Sequence, residues 1–377
     1  MSRTVWFLAP FMGVNTWRNE WPAMELERRG YPVRYVDRET PGGLRERLDH
    51  FFTPADTVVL HVSNMIGSGL ERFVADVRPK VRDLLLQFDD DYFSHRDIQV
   101  DDSIRSHPMI SKRTGYSPTA FADGPSAPGE IEMEFAPAPT LNSDIVAGVR
   151  GCTGVIAATE GVAEAYRPYA PWVEVIPNRM PEEISRYAAG SQRRRRTIAY
   201  LAILDPMGTQ GVAPHYLDAM LVTDAIGRRP VHVIGGSDGS GEVFRNVTYT
   251  GRPLLSEVRY PRRETGALYH ALAGFRVAIA PLLDTKWNRA KSWIKPLEAA
   301  TVGVPCVASR TPEYVRLYNA DVPVWLAETD DEWQTYLDFF LGMGETEWRT
   351  LSESLRLAAR EQSIERHSEW SDLLDRL

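Results

Sequence analysis

Asn288, Lys291, Lys295 and Glu298 follow one another at intervals of three, four and three. On a helix that spacing sets them along one polar face. The lysines stand out against the composition: the chain holds 38 arginines and five lysines, and Lys286, Lys291 and Lys295 fall within ten residues. An ammonium is a compact point charge and a guanidinium a planar fork, so lysines gathered here in an arginine-rich chain point to local chemistry. Ser292 is a strong helix-capping type and Pro296 is least costly near a first turn, which predicts a helix opening near Ser292. Free N–H groups, a hydroxyl and two ammonium groups at one point make a site for a diphosphate. Glu298, one turn deeper, is placed to accept hydrogen bonds from ribose hydroxyls. The competing reading is an ordinary amphipathic helix with solvated Lys and Glu.

The elements that position this segment read as alternating strands and helices. Thr197–Leu204, Val231–Ile234, Val247–Thr250, Val277–Pro281 and Pro305–Ala308 are short apolar runs, with Tyr216–Ile226 helical among them. The first half has the same pattern: strands at Val5–Pro10, Val33–Val36, Thr57–Val62, Leu84–Phe88, Gly154–Ala158 and Trp172–Ile176, and helices at Trp17–Arg29, stopping at Gly30, and Gly161–Tyr169. Such alternation builds βαβ units and parallel sheets. The predicted fold is α/β with two Rossmann-like doubly wound domains facing across a cleft, over 1–190 and 191–345. Terminal helices over 346–377 are expected to pack back on the first domain. Ser111–Leu141, rich in Pro, Gly, Ala and Ser, reads as a long loop or lid. The run Arg193–Arg196 reads as a solvated boundary rather than a nucleic-acid patch.

The segment Asn288-Arg289-Ala290-Lys291-Ser292-Trp293-Ile294-Lys295-Pro296-Leu297-Glu298, followed by Gly303-Val304-Pro305, resembles the donor motif of GT-B glycosyltransferases, closest to the retaining family 4 type. Glu298 matches the second, ribose-binding glutamate of that motif, while the first falls at Ala290. Val173–Asn178, Gly151–Glu160 and Tyr249-Thr250-Gly251 with Glu257 and Tyr269–Pro281 resemble further stretches of the family. The family's basic diphosphate-gripping residues after the first strand of the second domain are missing from Leu204–Gly211. Lys291 and Lys295 stand in for that charge. The resemblance implies a nucleotide-diphosphate sugar, UDP- or GDP-linked, as co-substrate, with no further cofactor and no obligatory metal.

The remaining candidates follow from position and resemblance. His61 ends the Thr57–Leu60 run, where the family has a His facing the donor sugar; a buried hydrogen-bonded His is the plain alternative. Gly13, in Phe11-Met12-Gly13-Val14-Asn15, resembles the first-strand loop over the donor diphosphate. Gly235 and Gly236 end a strand where a nucleotide base could rest, or form a plain turn. Asp89, Asp90 and Asp91 end another strand and suit an acceptor sugar, a metal or a base; adjacent acids have no fixed metal geometry, and a capped strand end is the plain reading. Trp17, one turn from Trp21, could stack on an acceptor sugar, though core packing is the commoner use of such a pair. The assignment made from sequence is therefore His61, Lys291 and Lys295 as catalytic, Gly13, Gly235, Gly236, Asn288, Lys291, Ser292, Lys295 and Glu298 for the donor, and Asp89–Asp91 and Trp17 for the acceptor.

Hydrophobic content of 43% and charged content of 25% are globular values. A net charge of −8 argues against a nucleic-acid substrate, including the DNA-glucosylating variant of the fold. Cys152 and Cys306 are the two cysteines, which excludes a disulfide scaffold and fits the cytoplasm. Neither a signal segment nor a membrane span is read from the chain, leaving peripheral membrane contact open. The acceptor is a glycan, lipid, small molecule or protein. A nucleotide-sugar epimerase and a non-catalytic nucleotide-sugar binder are the alternatives.

Overall fold

The computed structural model describes residues 3–9, 16–37, 52–62, 70–93, 138–190, 195–201, 214–234, 246–250 and 266–377. They form two six-stranded sheets. The first contains β1 (Val5–Ala9), β2 (Val33–Asp37), β3 (Thr57–His61), β4 (Asp83–Phe88), β5 (Gly154–Ala157) and β6 (Val173–Val175), in the order β2-β1-β3-β4-β5-β6. The second contains β7 (Arg195–Leu201), β8 (Val231–Ile234), β9 (Val247–Thr250), β10 (Phe275–Ala280), β11 (Cys306–Ser309) and β12 (Trp325–Ala327), in the order β12-β11-β10-β7-β8-β9. Every pairing is parallel.

Strands β3 and β4 are buried along their whole length, the pattern expected when helices cover both faces of a parallel sheet. The two orders differ. The second sheet has the dinucleotide-binding order, reversing between β7 and β10, whereas the first has the flavodoxin-like order, reversing between β1 and β3. Open α/β sheets bind ligands beyond the carboxyl ends of the strands at such reversals. His61 ends β3 at one of them, and the segment after β10 leaves the other.

Several boundaries differ from the sequence expectation. Ala138–Gly151 is one helix, so the Pro- and Ala-rich stretch ends before Ala138; residues 111–137 lie outside the described residues. The Tyr216–Ile226 helix is two, Pro214–Leu221 and Thr223–Ile226. The first helix begins as a π-helical turn over Thr16–Glu20 before Trp21–Arg28, and it ends as expected on Gly30, at φ +92°. Arg195 and Arg196 belong to β7 rather than to a linker.

The C-terminal helices divide between the two units. Glu345–Arg360 packs on the Ile294–Thr301 helix, and the approach is tight: a Cβ on Gly303 would lie 2.2 Å from the Ser352 hydroxyl. Gly303 also sits at φ +74°, so the turn after that helix needs glycine on both counts. Glu369–Arg376 instead crosses to the first sheet, where Trp370 meets Phe7 edge-on at 5.3 Å and Leu373 and Leu374 join the same cluster. The crossing is held by Arg179 on Glu369 at 2.6 Å and by Arg360 and Arg366 on Glu182. Cys152 and Cys306 are buried free thiols. No helix among the described residues is long and apolar enough to cross a membrane.

Candidate functional site

The segment after β10 is shaped by bonds within its own loop and to Ser309 and Asp218 of the same domain. Leu282 N donates to the Ser309 hydroxyl and Leu283 N to Asp218. Thr285 caps a four-residue helix, Lys286–Arg289, by accepting from Asn288 N. The Asn288 amide then donates to Asp218 at 2.8 Å and to the Leu283 carbonyl at 3.0 Å. The Asn288 amide is thus a buried tie that shapes the loop, while its Oδ1 has no partner among the described residues.

The chain breaks at Ala290–Ser292 and re-enters a helix over Ile294–Thr301, with Trp293 at the cap position. The helix opens near Ser292 as expected, with its cap one residue later, but the single polar stripe does not form: Asn288 and Lys291 precede a helix that carries only Lys295 and Glu298. The physical reason is competition across the cleft. Trp293 Nε1 donates to the Asn178 carbonyl at 2.8 Å, the Asn178 amide donates to Ser292 Oγ at 3.0 Å, and Thr159 Oγ1 donates to the Ala290 carbonyl at 2.8 Å. These bonds to the first domain hold residues 290–293 out of helical geometry. Gly161 permits the approach, since a Cβ there would lie 3.0 Å from Ala290 Cα.

Lys291 extends to the other side of the same contact. Its ammonium donates to Asp90 at 2.6 Å and lies 4.1 Å from the Trp287 ring centroid. The Asn178 amide also donates to Asp89 at 2.9 Å. Asp89 and Asp90 are therefore engaged by the second domain's motif and its neighbour, not presented to an acceptor. Asp91 is 1% exposed and caps its own turn by accepting from Phe93 N, which corrects its acceptor assignment.

Lys295 and Glu298 present a different face. Glu298 is 1% exposed and accepts from the Tyr269 hydroxyl at 2.9 Å. Burial pushes its carboxyl up to about 7, against the lowering effect of Tyr269, Lys295 and the Trp17 indole. Burial likewise pulls the Lys295 ammonium down to about 8; Lys291 adds to this, and Asp218 and Glu298 oppose it. The Lys295 ammonium lies 5.8 Å from the Tyr200 ring and makes no hydrogen bond among the described residues. A half-buried ammonium and a carboxyl titrating near neutrality thus lie one turn apart at the carboxyl end of the second sheet, a pairing of the kind that active sites favour.

His61 is fully buried, and burial with the nearby Arg18 charge pulls its imidazole down to about 3, so the ring is neutral. Among the described residues neither ring nitrogen has a hydrogen-bond partner, unlike the satisfied core histidine of the plain reading. Trp17 is not an exposed stacking platform: it meets Trp21 edge-on at 6.4 Å and packs against the second domain's apolar cluster with Tyr269 and Trp293. Gly13, Gly235, Gly236 and the Leu204–Gly211 loop lie outside the described residues. Among the described residues, no group of three or more His, Cys, Asp or Glu gathers to hold a metal.

Sequence reasoning gave no role to Arg18, Asn178, Asp218 or Tyr269. Asn178 and Tyr269 lay in the stretches that carry the family resemblance; Arg18 and Asp218 had no signal, because each acts on residues far along the chain.

No protein-family model and no curated sequence matches the chain. Solved structures do. A sucrose-phosphate synthase from Thermosynechococcus elongatus matches with a TM-score of 0.59 at 11% identity, covering 100% of this chain and 98% of that one. A trehalose-6-phosphate structure from E. coli bound with UDP-2-fluoro glucose matches at 0.58 and 12%, covering 100% and 98%. HepE from Anabaena, in complex with UDP-glucose, matches at 0.57 and 12%, covering 99% and 100%. End-to-end coverage on both sides, with the two sheets described above, gives this chain the two-domain GT-B fold.

Proposed function

We propose that the chain is a glycosyltransferase that takes its sugar from a nucleotide-diphosphate sugar bound against the second domain. The observation that carries the reading is the pair Lys295 and Glu298 on the Ile294–Thr301 helix, at the strand-order reversal, with the Lys295 ammonium partly desolvated and without a hydrogen bond among the described residues. The diphosphate would meet the Lys295 ammonium and the Ile294 and Lys295 N–H groups, which open the helix without an intrahelical acceptor. Lys291 joins when phosphate displaces Asp90. Glu298 accepts from the ribose hydroxyls, and His61 faces the sugar. Catalysis is then electrostatic: ammonium groups and a helix N-terminus offset the charge growing on the departing diphosphate. UDP is the favoured nucleotide, because HepE and the trehalose-6-phosphate structure are complexes with UDP-sugars. Retention of anomeric configuration, chemistry without a resident metal and a cytoplasmic location complete the proposal, resting on the motif. So does the division into an acceptor domain over 1–190, a donor domain over 191–345 and terminal helices over 346–377.

The test is a thermal-shift panel of UDP, GDP, ADP, CDP and dTDP, followed by turnover of the matching nucleotide-sugar with and without added sugar acceptors. One nucleoside diphosphate should raise the melting temperature by mass action, and its sugar conjugate should be consumed faster with acceptor. Binding without consumption in any mixture would favour a non-catalytic binder, and isomerisation without acceptor an epimerase. No binding at millimolar concentration would remove the reading's main support.

A further inference from the structure

Three side chains at the carboxyl ends of β3 and β4 share an unusual condition. Arg18 is 1% exposed, His61 and Gln87 are 0% exposed, and among the described residues all three keep buried polar atoms without a hydrogen-bond partner: Nε and Nη2 of Arg18, both ring nitrogens of His61 and Oε1 of Gln87. They are contiguous. His61 and Gln87 are register partners across β3 and β4, and the Gln87 amide donates to the Arg18 carbonyl at 2.8 Å. Native interiors rarely leave one such group unmet, and five in one place require an explanation.

The charge balance narrows it. Arg18 gives only Nη1, to two neutral oxygens, the Ile176 carbonyl at 2.6 Å and the Asn178 side chain at 3.1 Å. Burial lowers its pKa to about 10, which leaves it charged at neutral pH. The Asp89 charge lies near enough to raise the Arg18 pKa, but that carboxylate accepts from the Asn178 amide and bonds neither Nε nor Nη2; Asp90 is held by Lys291, and His61 is neutral. A desolvated guanidinium with an open Nε/Nη2 edge has the geometry that takes a carboxylate through two parallel bonds.

We infer that Arg18, His61 and Gln87 form an oxyanion pocket for a carboxylate borne by a sugar, so that the reaction involves an acidic sugar. The inference rests on the proposed reading of the cleft and deepens it. Arg18 holds the carboxylate, His61 and Gln87 take the adjoining sugar hydroxyls, and Lys291 and Lys295 keep the diphosphate. Asn178 touches both Arg18 and Ser292, so the pocket lies one residue from the interdomain contact, and access requires that contact to part.

The carboxylate can belong to the donor sugar or to the acceptor, and calorimetry separates the two. With a donor-borne group, wild type binds UDP-glucuronate at least tenfold tighter than UDP-glucose. With an acceptor-borne group, the two donors bind alike and free glucuronate, but not glucose, binds the UDP-glucose complex. In either case Arg18→Met abolishes the preference while UDP itself still binds, which shows that the variant is folded. Equal binding of both donors together with no glucuronate binding overturns the pocket and leaves the nucleotide-sugar reading standing. Failure of UDP to bind with glucuronate still bound sinks that reading alone, and failure of both sinks both.

Discussion

The two walls of the cleft are built in opposite ways. The second-domain wall comes from one continuous stretch, Leu282 to Glu298, shaped by bonds from Thr285 and Asn288 within it and from Asp218 of the same domain. The first-domain wall is assembled from the ends of β3 and β4, the turn before Trp21 and the linker at Asn178. A local wall keeps its charges on a short helix and can be recognised as a motif. An assembled wall depends on distant elements staying in place, and its key groups, Arg18 and His61, are fully buried. Function read from a motif therefore describes one side of such a cleft far better than the other.

Support for the assembled wall is the place to break the comparison hardest. Trp370 covers the first sheet at Phe7, so Trp370→Ala should cost roughly 3–5 kcal/mol. Urea unfolding followed separately by probes in each domain should show the first domain destabilised more than the second. An equal shift of both would mean that the two walls form one cooperative unit.

The local wall predicts a pH profile. A diphosphate needs Lys295 charged, and its pKa is about 8, so UDP affinity should fall about tenfold per unit above pH 8 as the ammonium loses its proton. Glu298, held at about 7, protonates as pH drops below that value and loses acceptor capacity toward ribose. Titration of UDP from pH 6 to 9.5 should give an optimum between about 7 and 8, and a flat profile would contradict the assignment.

Where the walls touch, Asp90 competes with phosphate for Lys291. Both side chains are 20% exposed, so the pair is worth about 1 kcal/mol at most. Asp90→Asn should tighten UDP binding up to about fivefold; weaker binding would mean that Asp90 helps the donor instead. The smallest effect is expected from Tyr269→Phe. Its hydroxyl lowers the Glu298 pKa, so its loss should move the acid limb of the UDP profile to higher pH with little change at pH 8.

The contrast also explains what the sequence made legible. Both parallel sheets, the helix stop at Gly30 and the positions of Lys295 and Glu298 were readable, because periodicity and a local motif carry them. The break at Ala290–Ser292 was legible only in part: Pro296 cannot donate to the Ser292 carbonyl and so marks where the helix begins, whereas the bonds from Thr159 and Asn178, more than a hundred residues away, gave no signal. For the same reason the Asp89–Asp91 run looked like an open acidic cluster. Its partners are distant in sequence: Asn178 comes from the end of the first domain, and Lys291 arrives only when the domains meet. The stacking role expected of Trp17 gave way to packing against a cluster from the other domain.

The central claim is that the donor is held by the second domain through Lys295. Calorimetric titration of UDP into wild type and Lys295→Ala at pH 7.5 tests it most directly. Removing a partly desolvated ammonium from a phosphate should cost roughly 2–4 kcal/mol, a loss of about thirtyfold or more. UDP binding of unchanged affinity in the variant would contradict the account.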